Sequence, residues 1–177
     1  MLKLSLQALF AIPFILIILY RLYGYWRWSG VASDINDGDG FILRRRRLPA
    51  LRVRILGIDA PEKGQPYASA SRTTLARLLR HPRVRLIPRG IDQYGRRVAR
   101  VQVGGYDVGY AMLLAGAAWY YRHYARDLPW ITRWRYAAAE RSARIGRRGL
   151  WAAKGTPRTP WSYKHRSWLE RLLRPNQ

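Results

Sequence analysis

Asp37, Asp39, Asp59 and Glu62 lie in one stretch that reads D-G-D-G-F-I-L, then a basic run, then V-R-I-L-G-I-D-A-P-E. The chain has ten carboxylates against thirty-three basic side chains, and five of the ten (Asp34 and these four) fall between Ser33 and Lys63. Acid gathered in one place in so basic a chain suits a hard cation, which takes oxygen ligands at ~2.3–2.6 Å in a flexible shell. Two carboxylates, a backbone carbonyl and waters would serve Ca²⁺. A further carboxylate, not used by the metal, could hold or deprotonate water. Arg54 lies in the strand-like run between the two acidic groups, and Arg96 follows the turn Asp92-Gln93-Tyr94-Gly95. Two guanidinium groups beside a cation and a carboxylate neutralise charge that builds on phosphate oxygens, so the chemistry is phosphoryl transfer. Each residue also has a plainer role. Asp37 and Asp39 form turns, Asp59 caps the loop before Pro61, Arg54 faces water, and Glu62 pairs with Lys63 or an Arg. Taken singly, the plainer roles are favoured; jointly they leave the clustering unexplained.

Several elements have to position these groups. Phe41 to Leu43 and Leu51 to Ile58 read as strands, because Leu51, Val53 and Ile55 alternate with Arg52 and Arg54. The run Arg44 to Arg47, with Pro49, is the expected hairpin connection. Gln65 to Leu79 reads as a helix with Pro66 in its first turn and Pro82 beyond its end. Arg83 to Ile87 and Arg97 to Val103 are two more strands, joined by Pro88 to Gly95. Asp107 is an expected N-cap of a short helix that stops at Gly116. Trp119 to Tyr121 is a short extended piece. A last helix starts near Pro129 and stops at Gly146, with Ile131, Trp134, Ala138 and Ile145 expected on its buried side. Strands that do not alternate with helices exclude a doubly wound parallel sheet. A small closed antiparallel barrel with helices at one end is expected, in the α+β class.

The N-terminal run from Leu4 to Tyr20 is apolar apart from Ser5, Gln7 and Pro13. As a helix it rises roughly 25 Å, close to the ~30 Å hydrocarbon core of a bilayer. Tyr20 to Trp28 then form a belt of aromatics and cations. A single-pass anchor over residues 1–28 is expected, in preference to a cleaved signal peptide. The positive-inside rule puts the domain in the cytoplasm, and a need for Ca²⁺ favours the outside; the side stays open. The charge of +23 implies a polyanion nearby, either nucleic acid or an anionic membrane face. With no Cys, thiolate metal sites and disulfides are excluded. Residues 152–177 form a basic, Pro-containing tail. It reads as a strap over the domain, with a short basic helix expected over Tyr163 to Arg174.

From about Ala32 to Trp151 the chain resembles the thermonuclease family, the staphylococcal nuclease-like domain. The resemblance rests on D-G-D-G-F (Asp37 to Phe41), V-R-I-L-G-I-D-A-P-E (Val53 to Glu62) and D-Q-Y-G-R (Asp92 to Arg96). A-G-A-A-W-Y (Ala115 to Tyr120) and R-R-G-L-W (Arg147 to Trp151) add to it, as do K-G-Q-P-Y (Lys63 to Tyr67) and P-W-S-Y-K (Pro160 to Lys164). The resemblance implies a five-stranded OB-fold barrel with three helices over residues 31–151. It also implies a Ca²⁺-dependent phosphodiesterase acting on DNA and RNA that leaves 3′-phosphates and 5′-hydroxyls. Asp39, Asp59 and the Ala60 carbonyl would ligate the metal. Glu62 would orient or deprotonate water, and Arg54 and Arg96 would bind phosphate. Tyr94 and Tyr121 are implied substrate contacts. Two positions depart from the family pattern: Gly40 replaces a Thr beside a metal ligand, and Ala60 replaces another Thr. The rival reading is a non-catalytic OB-fold module that tethers nucleic acid to a membrane.

Overall fold

The computed structural model describes residues 6–153 and 157–163. Its elements in chain order are α1 (Leu6–Arg27), β1 (Ser29–Ser33), β2 (Gly40–Arg45), β3 (Leu48–Ile55), β4 (Ile58–Asp59), α2 (Ala68–Leu78), β5 (Val84–Ile91), β6 (Arg97–Val103), β7 (Tyr106–Asp107), α3 (Val108–Leu114), β8 (Trp119–Tyr120) and α4 (Trp130–Ile145).

Five strands close on themselves. β3, β2, β1, β5 and β6 pair in that order, and β3 also pairs with β6. The closing pair is parallel, with Arg54 opposite Val98. The all-antiparallel barrel expected from the sequence is therefore corrected at one seam. β3 and β6 lie far apart in the chain, and no hairpin dictates their direction. Closure removes every open edge among the five strands and leaves a small barrel filled by side chains. Leu43, Val53, Ile55, Val84, Leu86, Ala99 and Val101 are all buried there, with Leu75 of α2 and Met112 and Leu113 of α3 against them. The alternation seen in the sequence is the cause: Val53 and Ile55 point in, while Arg52 and Arg54 point toward the rim.

The β2–β3 hairpin turns at Arg46 and Arg47, and Pro49 lies within β3. β5 runs further than expected, to Ile91, through an irregularity between Pro88 and Gly90. α2 begins at Ala68 rather than Gln65, because Tyr67 takes a left-handed backbone (φ 71). Asp107 caps α3 as expected, accepting from the Tyr110 amide at 3.0 Å. Its carboxylate also accepts from Arg100 Nη2 at 2.8 Å and from the Tyr136 hydroxyl at 2.6 Å. That one group joins β6, α3 and α4.

α4 turns its expected face outward. Ile131, Trp134 and Ile145 are exposed, whereas Thr132, Tyr136, Ala139, Glu140 and Ala143 are buried. Gly109 of α3 makes room for Tyr136, since a Cβ there would stand 2.3 Å from the tyrosine hydroxyl, and buried Glu140 accepts from the Tyr120 amide at 3.1 Å. Packing of that face overrides the more hydrophobic stripe.

The membrane-spanning segment expected over residues 1–28 falls partly outside the described residues. Among the described residues, no helix is long and apolar enough to cross a membrane. The apolar side chains described on α1, Ala11 to Leu19, are interrupted by Pro13 and closed by Tyr20 and Arg21. The tail does return to the domain over 157–163. The basic helix expected over Tyr163 to Arg174 lies, beyond Tyr163, outside the described residues.

Candidate active site

Asp39 sits at the start of β2, where the D-G-D-G turn enters the barrel. The turn is tight for a reason: a Cβ on Gly38 would stand 1.9 Å from the Ser71 hydroxyl. Ser71 is fully buried and donates to the Ala117 carbonyl at 2.6 Å, so it has no room to yield. At Gly40 a Cβ would meet the Asp37 carboxylate at 2.9 Å. The Thr-to-Gly departure thus leaves space for Asp37 rather than adding backbone freedom. Asp39 is then fixed through its backbone, because its carbonyl accepts from the Ile55 amide at 2.8 Å and its amide donates to Asp37 Oδ1 at 3.3 Å.

Arg54 reaches this turn from the adjoining strand β3. One guanidinium nitrogen lies 2.8 Å from Asp39 Oδ2 and another 2.9 Å from Asp59 Oδ1. One fork therefore holds two carboxylates from two different elements. Asp59 stands in β4, where pairing with Trp119 of β8 holds it. Ala60 follows, and its amide donates to Asp39 Oδ2 at 3.3 Å. Burial pushes the Asp39 carboxyl up to about 7. Arg54 opposes that shift, while Asp37 and Asp59 reinforce it. Burial works against the charged form of Arg54, yet the carboxylates of Asp39 and Asp59 hold its pKa above the ordinary range.

Glu62 enters after Pro61 at the end of this segment. Its amide donates to Gln65 Oε1 at 3.0 Å, and its carbonyl accepts from the Gln65 amide at 2.9 Å. Arg96 comes from the β5–β6 turn. Asp92 organises that turn by accepting from the Tyr94 amide, the Arg96 amide and Arg96 Nε, the last at 2.7 Å. Burial raises the Asp92 pKa, but these donors hold it below the usual carboxylate range. The Arg96 guanidinium lies 5.4 Å from the centroid of the exposed Tyr94 ring.

Two adjoining cavities collect these side chains. One of about 260 Å³ is lined by Asp37, Asp39, Arg52, Arg54, Ala60, Pro61, Glu62, Tyr94 and Arg96. The other, of about 380 Å³, shares Arg54, Glu62, Tyr94 and Arg96 and adds Asp59, Asp92, Tyr121, Tyr124 and Trp161. All eight positions singled out in the sequence, Asp39, Arg54, Asp59, Ala60, Glu62, Tyr94, Arg96 and Tyr121, thus line one continuous depression. Sequence reasoning left Arg52, Gln65, Tyr124 and Trp161 without a role. Gln65 and Trp161 sit inside the short motifs K-G-Q-P-Y and P-W-S-Y-K, which were the available signal.

The donor set fits a hard cation. Asp39 and Asp59 present carboxylate oxygens around one shared guanidinium, with Asp37 beside them, so acid outnumbers base locally. Among the described residues, no group of three His, Cys, Asp or Glu forms a complete metal-ligating cluster. A cation here would take two carboxylates and complete its shell from backbone and solvent.

A family model described as "Staphylococcal nuclease homologue" matches residues 52–153. The chain belongs to the staphylococcal nuclease homologue family. Members of this family that it resembles include the "Micrococcal nuclease" of Shigella flexneri, 30% identical over 93% of this chain and 97% of that protein. An "Uncharacterized endonuclease" of Escherichia coli O157:H7 is 34% identical over 78% of this chain and 91% of its own length. The "Probable staphylococcal-like nuclease CAN2" of Oryza sativa subsp. japonica is 36% identical over 73% of this chain, which spans only 32% of that longer protein. The matched segment begins within β3 and ends just past the R-R-G-L-W turn. It contains Arg54, Asp59, Glu62 and Arg96, while Asp39 lies upstream of it.

Proposed function

We propose that this chain is a Ca²⁺-dependent nuclease that hydrolyses phosphodiester bonds of DNA and RNA, leaving 3′-phosphate and 5′-hydroxyl ends. The observation that carries this reading is the shared cleft. Arg54, Asp59, Glu62 and Arg96 line one cavity, with Asp39 held in the adjoining one by the same guanidinium that holds Asp59. Family membership and the printed names of the relatives support it.

Asp39, Asp59 and the Ala60 carbonyl would hold Ca²⁺, which when bound supplies positive charge to the phosphate and its attacking nucleophile. Glu62 takes a proton from a water molecule, and the water oxygen forms the new bond to phosphorus. The bond from phosphorus to the 5′ oxygen breaks in line with that attack. Arg54 and Arg96 neutralise the charge that builds on the phosphate oxygens, and the departing 5′ oxygen takes a proton from solvent to end as a hydroxyl. Preorganised donors of this kind stabilise the transition state by roughly 2.7–4 kcal/mol each. Arg54 is better oriented than Arg96 before substrate arrives, because two carboxylates hold it from two sides.

The net charge of +23 suits a phosphate-rich substrate, but it suits a non-catalytic tether equally. Digestion of DNA with added Ca²⁺ separates the two. Glu62→Gln is expected to lower kcat by about a hundredfold or more while leaving binding near wild type, and Arg96→Ala to lower kcat by a similar factor and to weaken binding as well. Binding without cleavage by the unaltered chain would leave the tether.

For location we infer attachment to lipid through α1. Phe14, Leu16, Ile17 and Leu19 are all exposed, and a helix so apolar on its surface calls for a non-aqueous neighbour. The full chain should then pellet with membranes and residues 28–177, which keep the whole of β1, should not; equal partition overturns this placement.

A further inference from the structure

The segment 157–163 takes no part in the chemistry above, yet it is held in place. Gln65 Nε2 donates to the Arg158 carbonyl at 2.6 Å, while the Oε1 of the same side chain accepts from the Glu62 amide. Pro160 is buried. The Tyr163 hydroxyl lies 3.5 Å from where a Cβ on Gly64 would stand. A turn closes the segment, with the Tyr163 amide donating to the Thr159 carbonyl at 3.0 Å and the Ser162 hydroxyl donating to that same carbonyl at 2.9 Å.

This anchoring puts Trp161 in the wall of the cleft. It lines the ≈ 380 Å³ cavity with Arg54, Glu62, Arg96 and Tyr121. It also lines a neighbouring cavity of about 710 Å³ with Asp59, Tyr121 and His123. Although its neighbour Pro160 is buried, Trp161 remains 61% exposed. A large indole held at the mouth of the cleft and more than half exposed presents apolar surface beside the two arginines. In nucleic acid the flat apolar groups beside a phosphodiester are the bases. In a duplex their faces are already stacked on one another, and only an unpaired base has a free face.

We propose that Trp161 is a nucleobase-stacking residue, which receives an unpaired base of a single-stranded segment next to the phosphate held by Arg54 and Arg96. The Tyr121 and Tyr124 rings, 5.0 Å apart between centroids, line the same cavity and extend the aromatic surface. Gln65 is the brace that ties this wall to the segment bearing Glu62. The place of the phosphate in this proposal rests on the nuclease reading; the stacking itself can be measured without hydrolysis.

The experiment uses the full chain in EDTA, at a fixed salt concentration low enough that phosphate contacts alone still give measurable binding. Three labelled probes of equal phosphate number are compared: a single-stranded oligothymidylate, an abasic oligomer and a duplex. Trp161→Ala should weaken binding of the oligothymidylate by about five- to one-hundredfold, the range for one lost base–aromatic stack. Binding of the abasic oligomer and of the duplex should stay unchanged, and Trp161→Phe should keep most of the affinity. Unchanged oligothymidylate binding in Trp161→Ala overturns the proposal. So does an equal loss on all three probes, which would mean disturbed folding or charge. A chain that shows the selective loss but never cleaves with Ca²⁺ sinks the nuclease reading and leaves the stacking subsite. A chain that cleaves without the selective loss does the reverse.

Discussion

Two arginines on barrel strands each face a buried carboxylate, and their surroundings differ in one respect. Arg100 on β6 meets Asp107, whose Oδ2 takes Arg100 Nε and Nη2 and whose Oδ1 takes the Tyr110 amide and the Tyr136 hydroxyl. One acid, one base and enough donors leave that cluster saturated. Arg54 on β3 instead serves two carboxylates, Asp39 and Asp59, with Asp37 alongside, and both donors to Asp39 fall on Oδ2. Acid is in excess there, and the excess is buried. The first arrangement is a rivet; the second carries more acid than base, which suits the cation proposed above. Charge balance around the buried arginine is thus what distinguishes the two clusters.

The comparison breaks most visibly at the rivet. Asp107→Ala leaves Arg100 buried without its carboxylate, frees the Tyr136 hydroxyl and uncaps α3. Removing one partner of such a pair costs about 3–5 kcal/mol. Urea unfolding should show a loss of that size, while kcat of the folded fraction stays near wild type. The same measurement on Asp39→Asn should show no loss in EDTA, or a gain, because the substitution relieves crowding among acids. What Asp39→Asn should remove is the stabilisation by Ca²⁺, about 2.7 kcal/mol for the unaltered chain at a hundredfold excess over Kd. Equal Ca²⁺-dependent rises in Tm for both proteins would show that Asp39 is no ligand.

A pH series sharpens the contrast. In metal-free protein, burial beside other carboxylates pushes Asp39 up to about 7, whereas an unfolded Asp titrates near ~3.9. Between those values the folded chain keeps a proton that the unfolded chain has lost. The contribution of Asp39 therefore makes stability fall as pH rises through that window and level off above it. Asp39→Asn should flatten that slope in EDTA, and an unaltered slope would assign the burden to another group. The smallest expected effect is at Tyr136→Phe, which deletes one hydrogen bond to Asp107 and leaves Arg100 in place. About 1.5 kcal/mol of stability should go, without change in Ca²⁺ response.

The sequence carried different amounts of the two clusters. The cap of α3 by Asp107 was legible because it is local, three residues from Tyr110. The acids and Arg54 were legible because their motifs are short and unusual in so basic a chain. The links from Asp107 to Arg100 and to Tyr136 were not, since they cross from one element to another. The parallel seam between β3 and β6 escaped for the same reason. At α4 the hydrophobic stripe misled: Ile131, Trp134 and Ile145 are the more apolar residues, but the face that carries Tyr136 and Glu140 turns inward, where Asp107 and the Tyr120 amide meet them. Trp161 was visible only as part of a motif, because its meaning depends on Gln65 holding Arg158 across the domain.

Helix α1 ends at Arg27 and β1 begins at Ser29, so Trp28 alone lies between them. That residue is itself gripped: its carbonyl accepts from the Leu86 amide of β5, and the Arg97 guanidinium lies 5.2 Å from its ring centroid. Arg45 adds a bond to the Arg27 carbonyl at 3.1 Å. A joint this short gives the barrel no swivel. Whatever grips the helix also sets the compass bearing of the cleft, and a torque applied at one is delivered to the other.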